Sequence, residues 1–183
     1  MEATVDCLVE LGWADTTTVV VAERAGVSRG AQLHHFRTRG ELVAAAVEHI
    51  GTLRAQAMLT SAEDLRDTPD RTTAVVEFIT DFFVGNLFTA ALELWVAART
   101  DPELKELVVP LEARLGRECH RIAVRLLDAD EREPGVREAV QATLDLARGL
   151  ALADQLTDDG PRRRRIVRQW SRMLAAALRT ETP

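Results

Sequence analysis

Four arginines and two histidines lie close together in this chain with no acidic residue among them. The segment from Arg24 to Gly40 reads RAGVSRGAQLHHFRTRG, whereas the whole chain of 183 residues has a formal net charge of −6 at pH 7. A cationic surface on an otherwise acidic protein can neutralise the phosphates of a polyanion at one place while the rest of the molecule repels it. Phosphate binding is the chemistry that these residue types favour, with ordinary solvated arginines as the alternative.

Two short helices joined by a tight turn are predicted to position these cations. Gly26 lies at the turn, where a residue without a Cβ adopts a left-handed conformation at no steric cost. The helix before it is predicted to begin at the hydroxyls of residues 16–18, which can cap free N–H groups. Its apolar face would consist of Val21, Ala22 and Ala25.

The helix after the turn is predicted to run from Arg29 to His35, because Ser28 is a favourable N-cap. Its first turn would present Ser28, Arg29 and Gly30 outward. In helix-turn-helix proteins the N-terminal end of the second helix meets base edges in the major groove of DNA. The order of turn, cap and cations therefore predicts a DNA-reading element.

The N-terminal quarter of the chain resembles the tetracycline-repressor-like (TetR) family of bacterial transcription regulators. The resemblance covers about residues 3–50, and it is carried by Leu11-Gly12-Trp13, the run from Val21 to Ala31, His35-Phe36, Thr38 and Glu41-Leu42. Beyond residue 50 the resemblance is one of plan only. It implies a two-fold dimer, a ligand cavity and repression that a ligand relieves.

The resemblance also implies roles for individual residues. Phosphate contacts are implied for Thr17 or Thr18, Arg29, His34, His35 and Arg39, and base-edge contacts for Arg29, Ala31 and Gln32. Where the family commonly has Leu-Tyr, this chain has Gln32-Leu33, so a phosphate-binding tyrosine hydroxyl is missing. We hypothesise that the Gln32 amide reads an adenine. A half-buried Gln32 bonded to backbone beside Phe36 is the alternative, since residues i and i+4 share a helix face.

The family usually has a basic arm before the first helix, whereas this sequence begins Met1-Glu2-Ala3-Thr4 inside that helix. We expect the arm to be either absent or trimmed. If it is absent, the phosphate or minor-groove contacts of such an arm are lost and binding relies more on the arginines.

An all-α fold of about nine helices in two domains is predicted for the whole chain. Residues 1–50 would form a helix-turn-helix DNA-binding domain, the reader, and residues 51–183 a ligand-binding and dimerisation domain. Apolar periodicity with breaks at proline predicts the later helices near 39–59, 70–86, 88–100, 102–128, 134–157 and 161–180. Sustained period-two alternation, the sign of strands, is absent.

The last two predicted helices carry apolar stripes that are typical of a four-helix dimer interface. The stripe of the first includes Val140, Leu144, Ala147 and Ala151, and that of the second Ile166, Trp170, Met173, Leu174 and Ala177. Packing of these stripes within their own subunit is the alternative. The basic run from Arg162 to Arg165 is interpreted as a solvated helix start, because its side chains point in different directions.

The middle helices carry aromatic and polar side chains that could line an effector cavity. The candidates are Met58, Phe78, Phe82, Trp95, Arg99 and His120, with Arg99 or His120 orienting an acidic or carbonyl group. Ordinary core packing is the alternative for each of them. The implied partners are a double-stranded DNA operator, a second copy of the chain and a small apolar effector.

Other classes of function find little support in the sequence. No glycine-rich phosphate loop, nucleophile elbow or His-Glu-x-x-His motif occurs, so an enzyme is not expected. Cys7 and Cys119 lack metal-ligand spacing, so no metal or cofactor is expected. Without a signal segment or a membrane-length apolar run, we expect a cytoplasmic protein with no membrane partner. A helical adaptor whose reader no longer binds DNA is the alternative to a regulator.

Overall fold

Helices joined by short connections form the described part of the chain. The computed structural model describes residues 1–61, 65, 68–157 and 159–178. Its helices are α1 (Glu2–Asp15), α2 (Thr18–Ala25), α3 (Arg29–His35), α4 (Arg39–Ser61), α5 (Arg71–Phe82), α6 (Asn86–Ala98), α7 (Pro102–Leu127), α8 (Val136–Ala153) and α9 (Gly160–Leu178). No strand occurs in these ranges, which confirms the predicted all-α class. Positions 179 and 180 of the last predicted helix lie outside the described residues.

Local capping explains why several helices begin where they do. At the start of α4, Thr38 Oγ1 accepts a hydrogen bond from the N–H of Glu41 at 3.1 Å, and Glu41 Oε2 accepts one from the N–H of Thr38 at 3.4 Å. This reciprocal pair is a capping box. Asp70 and Asp101 cap α5 and α7 in the simpler way, by accepting one backbone N–H each.

The helix α1 contains a break that the sequence analysis did not predict. Gly12 has φ 71° and ψ 179°, outside the helical region, and α1 continues beyond it for only one turn. Glycine reaches this positive φ without the steric penalty that a Cβ would bring. The break therefore changes the direction in which the peptide groups of Trp13 and Ala14 point.

The described residues form two compact units. Unit 1 comprises residues 1–54 and 85–116, and unit 2 comprises the described residues of 55–84 and 117–183. The helices α4 and α7 contribute residues to both units. The functional boundary predicted at residue 50 is a separate matter and stays a prediction.

Unit 1 holds the reader helices against α6 and the first part of α7. Its core is built from apolar side chains of α1, α4, α6 and α7: Val5, Leu8, Val43, Ala46, Val47, Ala90, Leu94, Ala98, Leu104, Val108 and Leu111. A smaller cluster inside the reader joins Cys7, Val21 and Leu42. Burial raises the pKa of the Cys7 thiol, which keeps it protonated and lets it pack as a small apolar side chain.

Unit 2 is built around α5, which packs against α8 and α9. Its buried side chains include Val75, Val76, Ile79, Ile122, Ala123, Val140, Leu144, Ala147, Val167 and Leu174. In the described ranges of both units, no single helix is long and apolar enough to cross a membrane, and only α5 and α6 taken as a bent pair meet that criterion by length and composition.

Candidate nucleic-acid interface

The turn between α2 and α3 has the predicted geometry. Gly26 has φ 66° and ψ 27°, and its N–H donates to the carbonyls of Ala22 and Glu23. The N–H of Val27 donates to the Ala22 carbonyl at 3.1 Å. A Cβ on Gly26 would meet no atom within 4 Å, so glycine is needed here for its conformation rather than for space.

The first turn of α3 is capped and exposed. Ser28 Oγ accepts a hydrogen bond from the N–H of Ala31 at 3.2 Å, as the sequence predicts for an N-cap. Ser28, Arg29, Gly30 and Ala31 are all exposed. Within the described part of the chain, no carboxylate pairs with the Arg29 guanidinium. This end of α3 can therefore approach an anionic surface without first breaking an internal ion pair.

One cation of the segment is already engaged. Arg24 donates to Glu10 Oε2 of α1 at 2.6 Å. This hydrogen bond lowers the pKa of Glu10 and raises the pKa of Arg24. Because the pair is partly neutralised, Arg24 contributes less to the cationic surface than a sequence count of arginines indicates.

Arg39 is half-buried at the start of α4 and is held by the end of α1. Its Nη1 donates to the carbonyl oxygens of Trp13 at 2.8 Å and of Ala14 at 3.2 Å. Its guanidinium carbon lies 4.0 Å from the centroid of the Trp13 ring. These contacts fix Arg39 in place and still leave Nη2 and Nε able to donate.

The other residues predicted to contact phosphates lie at the start of α2 and at the end of α3. Thr17 is exposed and caps α2 by accepting from the N–H of Val20 at 3.2 Å, whereas Thr18 is partly buried. His34 and His35 are exposed at the end of α3, with their rings 5.3 Å apart in an edge-on arrangement. All four can be reached from solvent, and their phosphate contacts stay a prediction.

Gln32 faces the interior of the reader. Its residue is 7% exposed, and its Oε1 is buried without a hydrogen-bond partner among the described residues. This burial favours the second alternative of the sequence analysis, although no backbone donor reaches Oε1. Reading of an adenine by Gln32 stays a prediction, and it requires the side chain to turn outward.

A separate void lies inside unit 2. Its cavity volume is about 10 Å³, within a surrounding space of about 220 Å³ that includes open solvent. The lining consists of Met58, Ile79, Phe82, Phe83, Cys119, Ile122, Ala123 and Leu144. Every one of these side chains is apolar or a thiol, so the void offers contact area and no charged group.

The predicted effector residues are only partly brought together at this void. Met58 and Phe82 line it, whereas Phe78 and His120 do not, and Trp95 and Arg99 belong to unit 1. His120 Nε2 instead lies 2.7 Å from Glu131 Oε1, and this contact lowers the pKa of Glu131. Trp95 packs edge-on against Phe88, with ring centroids 6.1 Å apart. Core packing, the alternative considered for these residues, describes Trp95.

The sequence analysis missed most of the lining, namely Ile79, Phe83, Cys119, Ile122, Ala123 and Leu144. These are ordinary core residue types that lie on α5, at the C-cap of α5, on α7 and on α8. Their apolar spacing predicts that they are buried in a core. It does not indicate whether the core leaves a cavity.

The residues predicted for a dimer interface fall into three groups by burial. Five are buried within their own subunit and are not accessible to a partner in this fold: Val140, Leu144, Ala147, Ala151 and Leu174. They pack inward because α8 and α9 cover α5 with the same apolar stripes that the sequence analysis assigned to a partner. Ile166 and Trp170 are partly buried, and Trp170 Nε1 donates to Thr143 Oγ1 at 3.0 Å. Met173 and Ala177 are exposed.

Further apolar side chains of α8 and the following turn are exposed near this end of the sequence. Leu152 is 53% exposed, Leu156 93% and Met173 54%. Together with Ala177, they replace the buried residues as candidates for contact with a second subunit.

Side chains that could bind a metal do not cluster in the described residues. No group of three or more His, Cys, Asp or Glu side chains is placed to hold a metal ion in those ranges. The exposed end of α3 and the void of unit 2 are the features considered below for binding.

Comparison with known proteins places the reader geometry in context. A family model described as "Bacterial regulatory proteins, tetR family" matches residues 1–46. An uncharacterized HTH-type transcriptional regulator of Mycobacterium tuberculosis H37Rv is 33% identical over 133 residues, which cover 71% of this chain and 67% of that protein. The HTH-type transcriptional regulator BetI of Stenotrophomonas maltophilia is 30% identical over 160 residues, 85% of this chain and 79% of its own length.

A solved structure has the same fold over nearly the whole chain. It is a transcriptional regulator from Rhodococcus sp. Rha1, with a TM-score of 0.73 and 20% identity, covering 98% of this chain and 95% of that one. At 20% identity this structural similarity supports a shared fold only.

Proposed function

The chain belongs to the tetR family of bacterial regulatory proteins and is a transcriptional regulator, and we propose that it represses transcription as a homodimer on a near-palindromic DNA operator. A small apolar effector releases the dimer from the operator. The observation that carries the proposal is the exposed, capped first turn of α3, where Arg29 has no carboxylate partner among the described residues.

On DNA, each subunit inserts the start of α3 into a major groove. Arg29, Gly30 and Ala31 face the base edges, and the hydroxyls, histidines and arginines around them contact phosphates: Thr17, Thr18, Ser28, His34, His35 and Arg39. Two readers related by a two-fold axis require half-sites about one helical turn apart. The operator is therefore expected to be close to a palindrome.

The dimer forms through the C-terminal helices. Exposed apolar side chains of α8, its following turn and α9 support this assignment, since Leu152, Leu156 and Met173 would lose their contact with water in a dimer. Ala177 is exposed on α9 and is small enough for close helix approach. The buried apolar stripe of α8 then packs within its own subunit and holds the interface helices in position.

The effector occupies the void of unit 2. A charged ligand would lose its hydration there without gaining a charged partner, so a neutral apolar molecule fits the lining best. Ligand sites for drug-sized molecules usually measure about 300–1,000 Å³. The cavity of about 10 Å³ is far smaller, so binding of such a molecule must widen it, and an effector would therefore favour the conformation with the wider cavity.

The proposal is tested by selecting binding sites from a random duplex pool with the purified protein. Enrichment of a near-palindrome, with affinity that falls steeply as salt concentration rises, is the expected result. A pool with no enriched sequence would contradict the proposal and favour the adaptor alternative.

A further inference from the structure

The break in α1 is closed by a carboxylate from another helix. The N–H of Trp13, the residue after Gly12, donates to Glu93 Oε2 of α6 at 2.9 Å. Glu93 is the acidic residue of α6, whose sequence is NLFTAALELWVAA. A charged acceptor for a backbone N–H makes a stronger hydrogen bond than a neutral one. Glu93 therefore fixes the peptide group that joins Gly12 and Trp13.

The same short segment holds Arg39 from its other side. The carbonyl oxygen of Trp13 accepts from Arg39 Nη1, and the Trp13 ring lies beneath the guanidinium. The ring itself packs against the core of unit 1. Trp13 is thus held at three points, by Glu93 through its N–H, by the core through its ring and by Arg39 through its carbonyl.

Arg39 keeps hydrogen-bonding capacity for a further ligand. Its hydrogen bonds within the described residues use Nη1 alone, and none of these residues accepts from its Nη2 or Nε. A guanidinium has five N–H donors in a fixed plane, so fixing one edge of the group aims the other.

We propose that Glu93 is a positioning residue for DNA binding, which orients Arg39 towards an operator phosphate by holding the Trp13 peptide. The assignment rests on the proposed function. Glu93 does not contact DNA itself, and its negative charge alone would weaken DNA binding through repulsion. Positioning and charge therefore predict opposite effects when the residue is replaced.

The test compares operator affinity across salt concentrations for four chains: the wild type, Glu93→Ala, Glu93→Gln and Glu106→Ala. Glu93→Ala removes the acceptor and the charge, and we expect its affinity to fall about tenfold or more, as the loss of a charge-assisted contact in each subunit predicts. The slope of log affinity against log salt should fall by about two for a dimer, since each lost phosphate contact contributes about 0.9. Glu93→Gln keeps an acceptor oxygen, so its slope should match that of the wild type.

Glu106→Ala is the control for charge, because Glu106 is an exposed carboxylate of unit 1. It should bind as well as the wild type or slightly better. Equal affinities for Glu93→Ala and Glu106→Ala would overturn the assignment. If Glu93→Ala only impaired folding, the fraction of protein able to bind DNA would fall and the slope of log affinity against log salt would stay unchanged. That result would also overturn the assignment of Glu93.

A double-mutant cycle with Arg39→Ala separates the two residues. If Glu93 acts through Arg39, then Glu93→Ala has no added effect on affinity in the Arg39→Ala background, whereas additive losses contradict the assignment. Should Glu93→Ala fail to fold, Glu93→Met removes the acceptor at similar side-chain volume and takes its place in both comparisons. Absence of specific binding by the wild type would overturn the proposed function and this assignment with it, whereas a binding wild type with an unaffected Glu93→Ala variant overturns the assignment alone.

Discussion

At the scale of single residues, the reader departs from a simple apolar core at Gln32. A buried polar atom without a hydrogen bond costs about 1–3 kcal/mol relative to a satisfied one. Gln32 Oε1 is in this position, and an apolar side chain of similar size would remove the cost. The residue type was visible in the sequence, but its burial depends on how α3 packs against the rest of the reader.

We therefore expect Gln32→Leu to raise the free energy of unfolding by about 1–3 kcal/mol. Its operator base preference should equal that of the wild type, measured by selection from the same duplex pool. Gln169→Leu, at an exposed position of α9, is the control and should change stability by less than about 0.5 kcal/mol. Relaxed preference at one operator position in Gln32→Leu would instead support adenine reading.

Asp130, in the connection between α7 and α8, makes the stability of the folded chain depend on pH in the acidic range. Hydrogen bonds from the Arg132 guanidinium and backbone lower the pKa of this carboxyl to about 2, from an ordinary 3.8. Because the folded-state pKa is the lower one, the stabilisation is complete above the ordinary pKa and is lost as pH falls towards about 2. The group is fully exposed, so solvent screening limits its size.

We expect the wild type to lose more stability than Asp130→Asn as the pH falls from 4.5 to 2, because only the wild type loses the interaction of the charged Asp130 with Arg132. The difference should be no larger than the contribution of an exposed ion pair, and urea unfolding at a series of pH values measures it. Glu106→Gln, at an exposed carboxylate, serves as the control and should follow the wild type. Identical pH profiles for Asp130→Asn and the wild type would show that the ion pair with Arg132 does not persist in solution.

At the scale of elements, the helix-turn-helix illustrates what local sequence can predict. The N-caps at Thr17 and Ser28 and the left-handed Gly26 depend on neighbouring residues only, and the bounds of α2 and α3 followed from them. The break at Gly12 had a weaker signal, an isolated glycine near the end of an apolar stretch, which can mark a helix end. Its partner Glu93 lies 80 positions away in sequence, and no local pattern connects them.

Two glycines of the reader should respond in opposite ways to alanine. Gly26→Ala must place a Cβ at positive φ, which costs about 1–2 kcal/mol, whereas Gly30→Ala lies in the first turn of α3 and should gain up to about 1 kcal/mol. Neither Cβ would meet an atom within 4 Å, so the pair isolates backbone conformation. Thermal or urea unfolding measures both, and equal effects would contradict the left-handed turn.

At the scale of the whole molecule, the void in unit 2 could not be predicted from sequence. Its lining residues are spread from Met58 to Leu144, and whether they fill the space between them is decided by packing. Trp95 and Arg99 are predicted from the sequence to line the effector site, because an aromatic ring supplies apolar contact and Arg99 could orient an acidic or carbonyl group. Their helix α6 instead belongs to unit 1, where it packs against α1.

Filling the void should separate effector response from DNA binding. Ala123→Val adds two methyl groups to the lining, and this overpacking is expected to cost about 1–3 kcal/mol of stability. We expect operator affinity without effector to be unchanged and the thermal shift by apolar compounds to shrink. Ala113→Val, at an exposed position of α7, is the control, and an equal loss of response there would contradict the proposed effector site.

The central claim is that two readers bind one operator with fixed spacing, and shifting the half-sites tests it most directly. The selected operator would be compared with a version that carries five extra base pairs between its half-sites, which turns one half-site to the opposite face of the duplex. The account predicts that the shifted operator loses at least about tenfold in affinity and approaches the binding of a single half-site. Equal affinity for both operators would contradict a dimer of fixed geometry and with it the proposed mode of regulation.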